Sequence, residues 1–295
     1  MTGPVAFDGW TANVEDAVDV VTPAAAGALH DLLDLPGDAP SAGAPLPPLW
    51  HWLAFRPRSP QRLLGPDGHP PRGGFLPPVR LPRRMAAGFR VELARAPRVG
   101  EPLHRRATVV SVEAKTGRSG ELVFVTTRAE LRTTPHDGAT PLLVEEQDLV
   151  YRGVVPPSGP PAAPGPGVAP DDPSPDGWPW ARDLAVDPRL LFRFSALTYN
   201  AHRIHYDRDY ARDVEGYPGL VVHGPLQALA LAELCRAYIP NRAVRSFRSR
   251  AVAPAFDDGP VLLRGRELDG NRAELVAFGH RGTPTTRADA DLEPA

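Results

Sequence analysis

The apolar positions of this chain change period from one stretch to the next. After Pro225, Leu226, Leu229, Ala230, Leu234 and Ala237 recur at three-to-four spacing, which predicts a helix opened by a proline whose missing N–H would be unpaired in the first turn anyway. Apolar residues surround most of that segment, so it reads as a helix buried on most sides. Three strand-like runs follow, at residues 243–253, 261–268 and 272–279, and Leu268-Asp269-Gly270-Asn271 reads as the tight turn of the last pair. Residues 190–199 read as a strand that leads through a polar, histidine-rich segment towards Val221 and Val222. In the first half, residues 22–33 resemble a capped helix and residues 46–55 a second helical candidate. Strand-like runs lie at 88–94, 103–113, 121–131 and 142–152. Each half thus sets a short apolar helix before several antiparallel strands, an α+β pattern in two copies whose exposed edges could pair.

Glycine and proline set the division of the chain. There are 27 glycines and 37 prolines in 295 residues, well above the roughly 12% of an average globular protein, which disfavours an all-helical bundle. Ten of the prolines fall within residues 156–179, together with Gly159, Gly165, Gly167 and Gly177, and no apolar period runs through that stretch. It reads as a linker (156–180) between a first domain (1–155) and a second (181–295). Residues 281–295 are polar and read as a frayed tail.

Charge and cysteine content narrow the function. Lysine and arginine number 33 against 35 acids, a net charge of −2, so nothing favours broad contact with nucleic acid. The single cysteine, Cys235, excludes an intrachain disulfide or a multi-cysteine metal site. No run of 18 apolar residues marks a membrane span, and acids precede any lysine or arginine in the first 30 residues, which does not suit a signal peptide. The expectation is a cytoplasmic protein.

The segment FRFSALTYNAHRIHYDRDYARDVEGYPGLVVHGPL, residues 192–226, resembles the hydratase signature of the MaoC-like acyl-thioester dehydratases. Within that family it is most similar to the branch of mesaconyl-C4-CoA and itaconyl-CoA hydratases and type 2 hydroxyacyl-thioester dehydratases. In the first half, HPPRGGFLPPVRLPRRMAAG and KTGRSGELVFVTTRAELRT resemble the amino-terminal domain of the same branch. The resemblance implies a double hot-dog fold, with an antiparallel sheet wrapped around a central helix in each half. It also implies an active site near the interface of the halves, no prosthetic group, and a substrate carried on coenzyme A or phosphopantetheine. The wider family's motif runs serine-glycine-aspartate-any-asparagine-proline-isoleucine-histidine. Here the matching run is Thr198-Tyr199-Asn200-Ala201-His202-Arg203-Ile204-His205, so Asn200 stands at the aspartate position. An amide cannot take a proton from water as a carboxylate can, which puts the aspartate–histidine mechanism in doubt.

Hydration of a double bond conjugated to a thioester needs a base for water, an acid for the α-carbon, and donors for the enolate-like oxygen. His205 can cycle between acceptor and donor near neutral pH and is assigned the central acid–base role. Asn200 is assigned to positioning water or substrate, with an Asx turn as its alternative. The backbone N–H of Gly224, at the start of the buried helix, is the oxyanion candidate. His202 and Tyr199 are secondary candidates. His202 with His205 could suggest a metal, but spacing fixes no third ligand, and no metal is expected. Arg83 and Arg84, and on another stretch Arg248 and Arg250 with Arg245, are candidates for the phosphates of coenzyme A. Trp50, His51 and Trp52 read as core aromatics or as acyl-pocket lining, and Cys235 as a small buried side chain.

The leading expectation is reversible hydration of an α,β-unsaturated, or dehydration of a β-hydroxy, acyl-CoA, with a mesaconyl-type or other short branched acyl group as the family-guided choice. A carrier-protein-linked dehydratase, an acyl-CoA thioesterase and a noncatalytic acyl-thioester-binding protein are the alternatives. An acyl carrier protein and a second copy of the chain stay open as partners.

Overall fold

The computed structural model describes residues 2–4, 7, 9–117, 120–135, 140–153 and 174–294. Residues 156–173 of the proposed linker lie outside this set. Eleven strands among the described residues form one antiparallel sheet: β1 (Thr2–Pro4), β2 (Val14–Val20), β3 (Arg83–Leu93), β4 (Pro102–Gly117), β5 (Gly120–Arg132), β6 (Leu143–Arg152), β7 (Trp180–Leu184), β8 (Val244–Ala251), β9 (Val261–Glu267), β10 (Arg272–Phe278) and β11 (Pro284–Leu292). Their order is β1-β4-β5-β6-β3-β8-β11-β10-β9-β7, with β2 also on β4. The two halves meet where β3 pairs antiparallel with β8, from Gly88 opposite Arg250 to Glu92 opposite Ser246. Gly88 is needed at this seam, because a Cβ there would lie 2.7 Å from the Ser249 carbonyl oxygen. The edge pairing expected from the sequence is therefore the joint of the molecule.

The helix expected after Pro225 is α3 (Gly224–Tyr238), and every residue from Leu226 to Cys235 is buried. Strands β7 to β11 pack around it, so the second half is an antiparallel sheet wrapped on one helix. In the first half α1 (Pro23–Leu32) is capped as expected, with Thr22 Oγ1 accepting from the Ala25 N–H. The second helical candidate shortens to a 3-10 turn at Trp50–Leu53, since Pro45, Pro47 and Pro48 remove the donors a longer helix would use. Trp50 joins the halves: its indole donates 2.8 Å to Oε1 of Glu233 on α3. Its ring lies in a core shared by Leu103 and Leu131 with Phe194, Leu231 and Phe247.

Two expectations from the sequence are corrected. Residues 190–199 form α2 (Pro188–Thr198) and no strand. Asp187 caps it by accepting from the Leu190 N–H at 2.9 Å, and Pro188 sits in its first turn. Leu190, Leu191 and Phe194 supply the buried face. The supposed frayed tail holds β11, seated between β8 and β10. Thr286, Ala288, Ala290 and Leu292 point inward, while Arg287, Asp289 and Asp291 stay partly exposed, a two-residue alternation built from small residues.

Candidate active site

The hydratase-like segment begins where α2 ends. Tyr199 adopts the left-handed region at φ 55°, and the Asn200 N–H bonds back to the Ser195 carbonyl at 2.8 Å, closing the helix as a glycine usually would. The wider motif carries glycine at this position, so Tyr199 acts here as a helix terminator with its ring exposed. Asn200 Oδ1 then accepts from the His202 N–H at 3.0 Å, an Asx turn. A 3-10 turn, Arg203–His205, follows. The Val221 N–H bonds to the Ile204 carbonyl at 2.9 Å, which brings the Val221–Gly224 segment alongside.

This pairing fixes His205. Its Nδ1 lies 2.7 Å from the Val221 carbonyl oxygen. A carbonyl only accepts, so Nδ1 carries the hydrogen and Nε2 keeps its lone pair. The ring stacks on His223, with centroids 3.6 Å apart and planes within 19°. Burial lowers the His205 pKa to about 4, against the raising effect of the Val221 hydrogen bond. The ring is a neutral base across the physiological range. His223 is wholly buried, its Nε2 2.9 Å from Ser195 Oγ and its Nδ1 without a hydrogen-bond partner among the described residues. Burial first, and then the neighbouring His205 and His202, hold its pKa well below the usual value. Gly224 opens α3 directly after His223, and a Cβ built on it would meet nothing within 4 Å. Its N–H belongs to the first turn, where donors have no helical acceptor.

A third group arrives from the first half of the chain. Gly65-Pro66-Asp67-Gly68 forms a tight turn, with the Gly68 N–H 2.9 Å from the Gly65 carbonyl, and it lies against the hydratase-like loop. The Arg203 N–H donates 2.9 Å to the Asp67 carbonyl, and Arg203 Nη1 donates 3.0 Å to that of Pro66. Gly68, at φ +88°, is so close that a Cβ would sit 1.8 Å from the Ala201 carbonyl oxygen. The turn presents His69, whose Nδ1 lies 2.9 Å from Asp67 Oδ2 while its N–H donates 3.0 Å to Asp67 Oδ1. The His69 ring is 4.1 Å from that of His202, which is 5.4 Å from that of His205. Burial raises the Asp67 pKa, but the His69 ring and amide outweigh it and hold the carboxyl below its usual range. Burial lowers the pKa of His69 against the opposing pull of Asp67. The pKa of His202 is pushed far down by burial and by its two histidine neighbours. Asp67, His69 and His202 have ligand atoms within 4.8 Å of one another, a spacing that could also gather around a cation. The Asp67–His69 hydrogen bond already occupies Nδ1 of that set.

The structure therefore brings His205, His202 and the start of α3 together, and adds Asp67, His69, His223 and Ser195. Sequence reasoning missed these four as site residues. Asp67 and His69 are more than 130 positions from His205, and only the fold makes them neighbours. His223 had a local signal, because it directly precedes Gly224. The arginines divide. Arg83 is clasped by Glu215, Nε to Oε2 at 2.8 Å and Nη2 to its carbonyl at 2.8 Å. Arg84 lines a small pocket with Asp67, Met85, His202, Ile204 and Tyr217, and its charge acts on both His69 and His202. Arg248 and Arg250 alternate with the buried Phe247 and Ser249 on β8, and Arg248 pairs with Asp289 and Asp291. Arg245 pairs with Glu293. Trp50 is core, whereas His51 Nε2 and the Trp52 indole share Glu145 at 3.0 and 2.9 Å. Cys235 is buried, which raises its thiol pKa to about 11. No helix among the described residues is long and apolar enough to cross a membrane.

A sheet wrapped on a buried helix, with a tautomer-fixed histidine beside that helix's first turn, defines an α+β double hot-dog protein of the acyl-thioester hydratase and dehydratase class. The family model for hydroxyacyl-thioester dehydratase type 2 matches residues 49–257, and the chain belongs to that family. It is 45% identical over 288 residues to mesaconyl-C(4)-CoA hydratase of Chloroflexus aurantiacus, covering 98% of this chain and 97% of the relative. Among solved structures, a MaoC-like dehydratase from Phytophthora capsici superposes with a TM-score of 0.65 at 14% identity, covering 97% of this chain and 96% of that one. A Mycobacterium tuberculosis protein described as having a double hotdog fold superposes with a TM-score of 0.51 at 20% identity, covering 97% of each chain.

Proposed function

We propose that the protein adds water to, and removes it from, the α,β-position of acyl-CoA thioesters, with a short branched dicarboxylic acyl group as substrate. The observation that carries the reaction is His205: buried, its Nδ1 committed to the Val221 carbonyl, and its ring stacked on His223, the residue directly before Gly224 at the start of α3. In this reading the Gly224 N–H, aided by the helix dipole, receives the thioester oxygen as negative charge develops, and His205 exchanges the proton of the adjacent carbon. Asn200 holds the loop that carries both histidines. The identity with mesaconyl-C(4)-CoA hydratase supports the acyl class.

Arg84 supports the second carboxylate. It lines the small pocket that Asp67 and His202 also line, which in this reading sets it at the acyl end and not at the phosphates on the far end of a pantetheine arm. A free acyl carboxylate suits it by charge and by paired donors.

Incubation with mesaconyl-type and plain enoyl thioesters, on coenzyme A and on carrier protein, tests this reading. The expected product is heavier by one water with the thioester intact. Arg84→Met should lower kcat/KM for the dicarboxylic substrate about 100-fold, matching the ~1.5–3 kcal/mol of a charged hydrogen bond, and change a neutral enoyl-CoA little. Release of free acid would make the protein a thioesterase, and binding without turnover a noncatalytic one. An equal loss on both substrates would remove Arg84 from acyl recognition.

A further inference from the structure

The motif lacks a carboxylate at Asn200, yet one stands beside the same histidines in space. Asp67 grips His69 at two points, ring Nδ1 at 2.9 Å and backbone N–H at 3.0 Å. A carboxylate only accepts from a ring N–H, so Nδ1 bears the hydrogen and the lone pair of His69 lies on Nε2. His205 is set the same way by the Val221 carbonyl. Two imidazoles from opposite halves of the chain, each anchored through Nδ1 and each with Nε2 uncommitted among the described residues, thus flank His202 at ring distances of 4.1 and 5.4 Å.

We infer that Asp67 and His69 form a second acid–base pair that works with His205 on one substrate and replaces the carboxylate missing at Asn200. The inference rests on the hydratase reading above. In dehydration, neutral His205 takes the α-proton on Nε2, and the C–H electron pair becomes the new C=C bond as the β-C–O bond breaks. His69, which takes a proton from solvent on its Nε2 lone pair before the step and is steadied as imidazolium by Asp67, gives that proton to the departing hydroxyl, which leaves as water. The enzyme is left with His205 protonated and His69 neutral; His205 gives its proton to solvent and His69 takes one up before the next turnover, and hydration runs the same transfers in reverse. Two groups serve two atoms, so neither histidine must both remove and deliver a proton within one bond-breaking event. His69 is the catalytic residue of the pair and Asp67 its positioning residue, acting as a carboxylate does when it orients and stabilises an imidazolium.

The test measures kcat and KM on an enoyl-CoA that wild type hydrates, for His69→Gln, His69→Ala, Asp67→Asn and His205→Gln. Asp67→Asn keeps an oxygen for the His69 N–H while removing the charge, so the turn is preserved. The expected result is a kcat loss of 100-fold or more for His69→Gln and of tenfold or more for Asp67→Asn, with KM within threefold of wild type. Saturable recovery of His69→Ala by added imidazole is also expected, a response that a structural role would not give. Undiminished kcat in His69→Gln, alongside loss in His205→Gln, would overturn the pair and leave the hydratase reading standing. Activity removed by a chelator and restored by Zn2+ would also overturn it, because the cluster would then be a cation site. Wild type inert on every thioester would sink the parent reading itself.

Discussion

Gly68 is the position where a single methyl group bears on the whole site. A Cβ there would lie 1.8 Å from the Ala201 carbonyl oxygen and 2.7 Å from its carbon, both backbone atoms, at φ +88°. Non-bonded carbon and oxygen need about 3 Å or more, so Gly68→Ala must part the two loops by upwards of ~1 Å, and the left-handed backbone adds ~1–2 kcal/mol. Much of that strain can be relieved by lifting the 65–69 turn, so the expected fall in melting temperature is a few degrees. Lifting it moves His69 away from His202 and releases the hydrogen bonds of Arg203 to Pro66 and Asp67. A displacement of ~1 Å among groups that position a reaction costs about 100-fold. Gly68→Ala should therefore fold and lose about 100-fold in kcat/KM on the preferred enoyl-CoA, measured beside a thermal unfolding curve. Wild-type kcat/KM with an unchanged melting temperature would refute the claim that this seam shapes the site.

Two further outcomes follow from the buried groups. Glu233, 1% exposed, accepts from the Trp50 indole and pairs with Arg236 at 2.6 Å; Glu233→Ala should destabilise by about 2–3 kcal/mol, read as a shift in urea midpoint, because it strands the indole N–H in the core. His205, with a folded pKa of about 4 against an ordinary 6.5, binds fewer protons folded than unfolded between those values. Stability should then fall as pH drops through that window, by ~2 kcal/mol at pH 5 from this group alone, with His202 and His223 adding in the same direction. A urea midpoint that stays flat from pH 7.5 to 5 would contradict these buried neutral histidines.

What the sequence disclosed depended on range. The α3 helix was legible because its apolar period and Pro225 are local, and the hairpin strands because their turns are short. The α2 segment was misread because Leu190, Leu191, Phe192 and Phe194 fit a buried strand as well as a helix, although Asp187-Pro188 carried the capping signal. Strand β11 was missed because alanine and threonine on its inner face give little hydrophobic contrast. His205 and Gly224 were found through the part of the family resemblance carried by residues 192–226. His69 heads the first-half segment that resembles the same family, yet nothing in the sequence ties it or Asp67 to His205: their place in the site comes from β3 joining β8 and from a turn docked on a loop far along the chain.

The most direct test is hydration of a mesaconyl-type or enoyl-CoA in water enriched in oxygen-18, with wild type and His205→Gln compared by mass spectrometry of the intact thioester. Wild type should place the heavy oxygen on the β-carbon with the thioester whole, and His205→Gln, folded and still binding the substrate, should place none at a comparable rate. Heavy oxygen in a released carboxylate, or full incorporation by the variant, would contradict a buried imidazole at position 205 working on a carbonyl held at Gly224.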